Sequence, residues 1–90
     1  MDQSTLVVKK SVPGFLLYPN PVSRSLTIQW ESAPDADGKI SYRIMDYSGR
    51  SVLSGILSEN KIDVSHLGSG IYLIMLHTPN GAVTKTFLKQ

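Results

Sequence analysis

The stretch Gly70–Lys89, with the sequence GIYLIMLHTPNGAVTKTFLK, decides the fold. Its first part, Ile71–Leu76, is apolar apart from one tyrosine hydroxyl, which is typical of a central strand covered on both faces. Asn80 and Gly81 favour a tight hairpin, because both residues tolerate the positive φ of a type I′ turn. The run Val83–Leu88 then predicts a returning strand, whose threonine and lysine side chains suit a sheet edge.

The same β pattern continues outward from this hairpin. Leu26, Ile28 and Trp30 alternate with polar residues, so they share the core-facing side of a half-buried strand. Residues 40–44 and 51–57 predict a second hairpin through a tight turn at Ser48-Gly49, and Ile62–Ser65 predicts another short strand. Gly55, inside a strand, indicates either a bulge or a close backbone approach.

Turn residues separate these short apolar stretches, and no segment has a helical period. We therefore predict an all-β fold, an immunoglobulin-like antiparallel β-sandwich of about seven strands, with a small barrel as the alternative. Residues 1–14 are predicted to be a linker and residues 15–90 the folded domain. The 90-residue chain is long enough for one small core and too short for two.

Composition excludes several function classes. The formal charge of +2 comes from scattered residues, whereas nucleic-acid binding needs clustered cations. The chain has no cysteine, which excludes disulfides and thiolate metal ligands. Its longest apolar run is far shorter than the roughly 20 residues of a membrane-spanning helix, so we expect no direct membrane insertion.

The search for catalytic chemistry gives no motif. Neither His66 nor His77 lies in a recognisable motif that pairs a nucleophile with a base. Ser65 and His66 are adjacent in the sequence, and we interpret them as turn residues. The segment Asp35–Gly38 is similar to the start of a calcium loop but lacks the further oxygen ligands and the distal glutamate. We therefore predict no enzyme activity, no catalytic residues, no metal site and no cofactor.

A carbohydrate-binding or adhesive accessory module is the alternative function, because β-sandwiches bind sugars through exposed aromatic rings. Trp30 and Tyr42 are expected to face inward, which leaves Tyr18 and Tyr47 as exposed rings. Tyr72 follows a glycine turn, so its hydroxyl either bonds back to the loop, as in a tyrosine corner, or the ring only packs in the core.

Four short motifs occur in order along the chain: LYPNPV at Leu17–Val22, IMDYSGRSV at Ile44–Val52, IDVSHL with GIYLI at Ile62–Ile74, and KTFLK at Lys85–Lys89. Together they resemble the C-terminal sorting domain (type A, Por secretion system family) of the type IX secretion system of Bacteroidetes, over about residues 16–89. The main departure from that family is a longer loop at residues 34–38.

The resemblance implies which secretion components bind this domain and which route it takes to the cell surface. The domain ends a larger exported protein, passes through the periplasm, and is recognised by an outer-membrane translocon and a shuttle protein. A sortase-like cysteine protease of that system then removes it, and the N-terminal cargo stays on the cell surface or is secreted. The cut is expected in the stretch before Phe15, because a protease needs an accessible, extended backbone.

Two groups of residues are predicted to matter for this function. Recognition by the translocon is assigned to the last hairpin, whose edge offers backbone groups for β-augmentation; the residues are Gly70, Tyr72, Lys85, Phe87 and Lys89. The second group is architectural: Pro19, Asn20, Pro21, Asp46, Gly49 and Arg50. The two prolines fix φ and remove donors, so Tyr18–Val22 is predicted to form a rigid kink at the sandwich edge.

Overall fold

The computed structural model describes residues 14–32, 34 and 39–90. Its elements are seven β-strands: β1 Phe15–Tyr18, β2 Ser25–Trp30, β3 Ser41–Asp46, β4 Ser51–Ile56, β5 Lys61–Asp63, β6 Gly70–Thr78 and β7 Gly81–Lys89. Within the part of the chain that the structure describes, no helix has the length and apolar character that a membrane span requires. The linker up to residue 13 and the segment Asp35–Gly38 lie outside the described residues.

The strands form two antiparallel sheets. One sheet has the order β1-β2-β5 and the other the order β4-β3-β6-β7, and all pairs of neighbouring strands are antiparallel. For the consecutive pairs β1–β2, β3–β4 and β6–β7, the antiparallel direction follows from the short connections. The pairs β2–β5 and β3–β6 join strands that are not consecutive in the sequence. The predicted all-β sandwich of seven strands and the β3–β4 hairpin are confirmed, whereas the immunoglobulin-like detail stays a prediction.

The core lies between the two sheets and is built mainly from residues of six strands, all except β4, together with Val22 and Val64 from the connections. Its buried apolar residues are Phe15, Val22, Leu26, Ile28, Ile44, Ile62, Val64, Tyr72, Ile74, Leu76 and Phe87. Trp30 packs its ring 5.7 Å from that of Phe15 and is half-buried, so the expected inward position holds only in part. Tyr18 and Tyr47 are exposed, as predicted.

The central strand β6 is buried on one face only. Tyr72, Ile74 and Leu76 face the core, whereas Ile71 on the opposite face is 46% exposed and Leu73 is half-buried. The prediction that both faces are covered is therefore wrong. β6 lies between β3 and β7, so its backbone groups pair with both neighbours. Among the described residues, however, no third layer covers the outer face of the sheet.

The turn between β6 and β7 differs from the predicted one. Thr78 pairs with Gly81, so Pro79 and Asn80 are the two central residues. The ring of Pro79 holds its φ near −65°, which excludes a type I′ turn. Gly81 has the positive φ, 133°, at the first position of β7. The type I′ prediction at Asn80-Gly81 is therefore wrong by one position.

A turn with the type I′ sign of φ occurs elsewhere, before β5. Glu59 and Asn60 have φ values of 57° and 58°, and Ser58 and Lys61 bridge across them. This turn was not predicted from the sequence, because glutamate is uncommon at positive φ.

Gly55 marks a close approach rather than a bulge. A Cβ atom added to Gly55 would lie 3.1 Å from the hydroxyl oxygen of Tyr42, its partner on β3. The register shift of this strand pair lies elsewhere, between Ile44 and Met45. Glycine at residue 55 therefore leaves room for the Tyr42 ring, which a Cβ atom at this position would force to shift by a few tenths of an ångström.

Candidate functional site

The end of β7 is held by a segment from the beginning of the domain. The backbone N–H of Leu88 donates to Asn20 Oδ1 at 3.0 Å, and the N–H of Val22 donates to the carbonyl oxygen of Leu88 at 2.9 Å. The N–H of Gln90 donates in turn to the carbonyl oxygen of Val22 at 2.9 Å, and Val22 forms a parallel bridge with Lys89. We call this pairing of residues 20–22 with residues 88–90 the Asn20 clamp.

Local sequence explains the shape of the clamp. Pro19 and Pro21 lack backbone donors, so the segment cannot continue β1 as an ordinary ladder. Between them, the side chain of Asn20 supplies the acceptor for the neighbouring strand. Val22 then anchors the segment, because its side chain is fully buried in the core. The predicted kink at the sandwich edge is thus the segment that closes one end of β7.

Beyond the clamp, the outer edge of β7 is open among the described residues. β7 is the last strand of its sheet and pairs along its length only with β6. Leu88 directs its N–H and C=O away from β6, and alternate strand residues direct these groups to the same side. Thr86, Thr84 and Ala82 therefore present a row of backbone donors and acceptors. We call the backbone of residues 82–86 the β7 edge.

Tyr72 lies at the start of the hairpin and makes two contacts. Its hydroxyl donates to the carbonyl oxygen of Gly68 at 2.8 Å, which confirms the hypothesis that it bonds back to the preceding loop. Its ring also stacks on Phe87, with the centroids 5.7 Å apart. Gly70, with a φ of 149°, begins β6 opposite Lys89. Tyr72 therefore fixes the hairpin to the loop that enters it.

The residues predicted for recognition all lie on this hairpin, but they differ in exposure. Phe87 is 1% exposed and Lys89 is 6% exposed, with its ammonium donating to the carbonyl oxygen of Gln90 at 2.9 Å. Lys85 is exposed, and its Nζ atom lies 5.8 Å from the ring centroid of Phe15. Of the three β7 side chains, only Lys85 is available to a partner of the folded domain, and recognition stays a prediction.

Asp46 organises the turn between β3 and β4. Its Oδ1 atom accepts hydrogen bonds from the N–H groups of Ser48 and Arg50, both at 3.0 Å, and from the Ser48 hydroxyl at 2.6 Å. These bonds, first that of the Ser48 hydroxyl, hold the pKa of Asp46 below its ordinary value of 3.8. Gly49, with a φ of 92°, completes the turn. The ion pair with Arg50, at 3.5 Å, is exposed and adds little.

Asp63 has a similar local role. Its Oδ1 atom accepts a hydrogen bond from the N–H of Ser65 at 2.9 Å, which is the main reason that its pKa lies below the ordinary value. Ser65 therefore belongs to a turn with Asp63 rather than to a dyad with His66. In the described ranges, no three His, Cys, Asp or Glu side chains stand close enough together to hold a metal ion.

An open groove of about 520 Å³ lies on the three-stranded sheet. Its lining residues are Tyr18, Thr27, Ile28, Gln29, Trp30, Glu59 and Asn60. The indole N–H of Trp30 donates to Asn60 Oδ1 at 3.2 Å, which holds the ring at the groove. Tyr47, the other ring considered for sugar binding, lies in the β3–β4 turn and does not line it.

The sequence indicated Asn20 but neither its partner Leu88 nor the pairing of Val22 with Gln90. The clamp joins residues 68 positions apart, so no local pattern could reveal it. The sequence model of the family described as "Secretion system C-terminal sorting domain" matches residues 16–90, which include both halves of the clamp. No curated protein matches the chain.

Proposed function

The chain belongs to the C-terminal sorting domains of the type IX secretion system, and we propose that it directs an N-terminal cargo through the periplasm and across the outer membrane. The family consists of sorting signals rather than enzymes, and its tails lead to the cell surface or to secretion. The observation that carries the proposal is the match over residues 16–90, which spans nearly all of the described fold.

Recognition by the translocon and its shuttle protein is proposed for the β6–β7 hairpin. Gly70 and Tyr72 fix the start of this hairpin, while Phe87 and Lys89 are buried along its last strand. These four residues support the shape of the hairpin, and Lys85 supplies an exposed charge. A receptor can thus read one exposed side chain together with the backbone of the β7 edge.

Removal of the domain by the sortase-like cysteine protease is proposed to occur before Phe15. The carbonyl oxygen of Gly14 accepts a hydrogen bond from the N–H of Glu31 at 2.9 Å, so the sheet ladder begins at this residue. A protease needs an extended backbone that is accessible and free to pair in its cleft, whereas the backbone groups of strands within a sheet are already paired. The cut therefore belongs upstream of Gly14, and mass spectrometry of the released cargo identifies the bond.

The test is a fusion of residues 1–90 behind an exported reporter in a bacterium with a type IX system. We expect the reporter on the surface or in the medium, with the domain removed. The same reporter without the domain, and the fusion in a strain lacking the translocon, are the controls. Accumulation of the intact fusion in the periplasm of the normal strain would contradict the proposal.

Deletion of residues 85–90 is expected to abolish export, but this deletion also removes Phe87, which is 1% exposed. Loss of a buried aromatic side chain costs about 3–5 kcal/mol, which is a large part of the stability of a small domain. The truncated chain therefore has to be compared with point variants that keep the core.

Sugar binding is a second candidate, and the groove supports it. Tyr18 is 48% exposed there, beside Trp30 and the amide side chains of Gln29 and Asn60. An aromatic face with planar polar groups is a common way to hold a sugar ring. Because Trp30 is the only tryptophan, its fluorescence reports directly on the groove during titration with maltose or cellobiose.

The matched pair of variants for this titration is Tyr18→Ala and Tyr47→Ala. We expect a fluorescence change on sugar addition in the parent domain and in Tyr47→Ala, and none in Tyr18→Ala. No response of the parent domain to either sugar would remove the second candidate.

A further inference from the structure

We propose that the sorting machinery adds one extended peptide segment to the β7 edge, beside Ala82–Thr86, and that the Asn20 clamp sets where this added strand ends. The inference rests on the proposed sorting function and deepens it, because it specifies how the translocon or shuttle protein makes contact. The partner is an extended strand of a secretion component that carries acidic side chains.

The first support is the direction of the backbone groups. Leu88 and Gln90 already use their outward groups in the clamp, with distances of 2.9 to 3.0 Å. Strand alternation gives Thr86, Thr84 and Ala82 the same outward direction. Three N–H and three C=O groups therefore stand in a row, which is the template that strand addition uses.

The second support is a comparison of the sheet edges. β5 has three residues, and β1 has four residues and ends directly before Pro19. β4 has a register shift opposite Ile44 and Met45, which bends a strand and interrupts pairing. β7 has nine residues in continuous register with β6. Short length, proline, bulges and exposed lysines are the usual devices that block edges. β7 has only the last of these, Lys85, which opposes a like-charged strand and favours an acidic one.

The third support is that the chain itself pairs with one end of this edge. Val22 bridges Lys89 in a parallel sense, so the sheet already extends by one short segment at residues 88–90. This segment occupies the position that an added strand would otherwise take. An incoming strand must therefore stop before Leu88, which leaves residues 82–86 as its pairing length.

Charge favours a partner strand over a second copy of this chain. Lys85 is exposed within the β7 edge, and the chain carries a net charge of +2. Two copies paired through this short stretch would bring two Lys85 ammonium groups near each other, and like charges across strands oppose pairing. A strand with aspartate or glutamate beside Lys85 gains an opposite-charge pair instead.

The decisive variant is Thr84→Pro in the exported fusion, with Thr84→Ala as its matched control. Proline removes the outward N–H of residue 84, and sheets tolerate proline on an edge strand whose N–H faces solvent. Thr84→Ala removes the side chain and keeps the backbone. We expect loss of export for Thr84→Pro and normal export for Thr84→Ala, while amide protection of Ile74 and Leu76 shows that the fold of both is kept.

Each outcome separates the two proposals. If the parent fusion is not exported, the proposed function fails. If a folded Thr84→Pro domain is exported as efficiently as the parent, only the edge proposal is overturned.

A second measurement does not depend on the proline substitution. A photoreactive amino acid at residue 84 is expected to crosslink to a secretion component, whereas the same group at Ser54 on β4 is not. Absence of that crosslink, equal crosslinking from residue 54, or a crosslink to a second copy would overturn the proposal.

Discussion

The Oδ1 atom of Asn20 accepts a hydrogen bond from the backbone N–H of Leu88 at 3.0 Å, which joins two residues 68 positions apart in the sequence. The side-chain amide oxygen accepts the hydrogen bond that a carbonyl oxygen of a neighbouring strand would otherwise accept. The first turn of the domain is therefore joined directly to the last strand.

Replacement of Asn20 by alanine is expected to lower the free energy of unfolding by about 1 kcal/mol, because the N–H of Leu88 loses its acceptor. Asn20→Asp keeps an oxygen acceptor at the same place and should preserve most of that stability. Urea unfolding and hydrogen exchange of the Leu88 amide measure the two effects. Equal exchange of the Leu88 amide in the alanine variant and the parent would show that this bond contributes nothing.

Tyr72→Phe separates the contribution of the tyrosine hydroxyl to stability from that of the ring. The variant keeps the stack on Phe87 but leaves the carbonyl oxygen of Gly68 without its donor, so we expect a loss of about 1 kcal/mol. Tyr72→Ala also removes a buried ring and should cost about 3–5 kcal/mol. Tyr47→Phe, at a side chain that is 80% exposed, is the control and should leave urea unfolding unchanged.

Stability is expected to fall in acid partly through Asp46. Its hydrogen bonds to Ser48 and Arg50 hold its folded-state pKa below the ordinary 3.8, so the unfolded chain takes up a proton first as the pH falls. The stabilisation is therefore complete above about pH 4 and is lost as the pH falls through the folded-state value. Asp46→Asn should flatten the dependence of Tm on pH in this range.

The control for the acid prediction is Glu31→Gln, at an exposed carboxyl outside this turn. It should leave the slope of Tm against pH close to that of the parent. If the slope of Tm against pH in Asp46→Asn is as steep as in the parent, the Asp46 carboxylate is not the source of this pH dependence.

Glu59→Asn is expected to stabilise the domain by up to about 1 kcal/mol. Glu59 has a φ of 57°, where most side chains are strained, whereas asparagine adopts this conformation more readily. Glu59→Gln removes the same charge and keeps the strain, so its Tm should match that of the parent. If the Tm of both variants rises equally, the lost charge rather than the backbone conformation is responsible for the stabilisation.

Much of the local structure was predictable from single segments. The alternation of Leu26 and Ile28 predicted the buried face of β2, and the tyrosine after the glycine turn indicated the bond from Tyr72 to Gly68 as one of two alternatives. The turn at Pro79 was misplaced because the pattern Asn80-Gly81 is a strong signal, yet pairing of Thr78 with Gly81 moved the turn back by one residue.

The sequence by itself determined the strands β2 to β7, the hairpin pairing of β3 with β4 and the family, because these depend on side-chain period and short motifs. It did not predict β1. Only the tertiary structure decided that Asn20 caps Leu88, that the β7 edge is open among the described residues, and that the outer face of β6 is half-exposed. These features depend on which distant segments become neighbours. The side-chain period and the short motifs of a segment describe that strand and which of its side chains share a face. Whether an edge or a face of the strand is covered depends on contacts with another part of the chain.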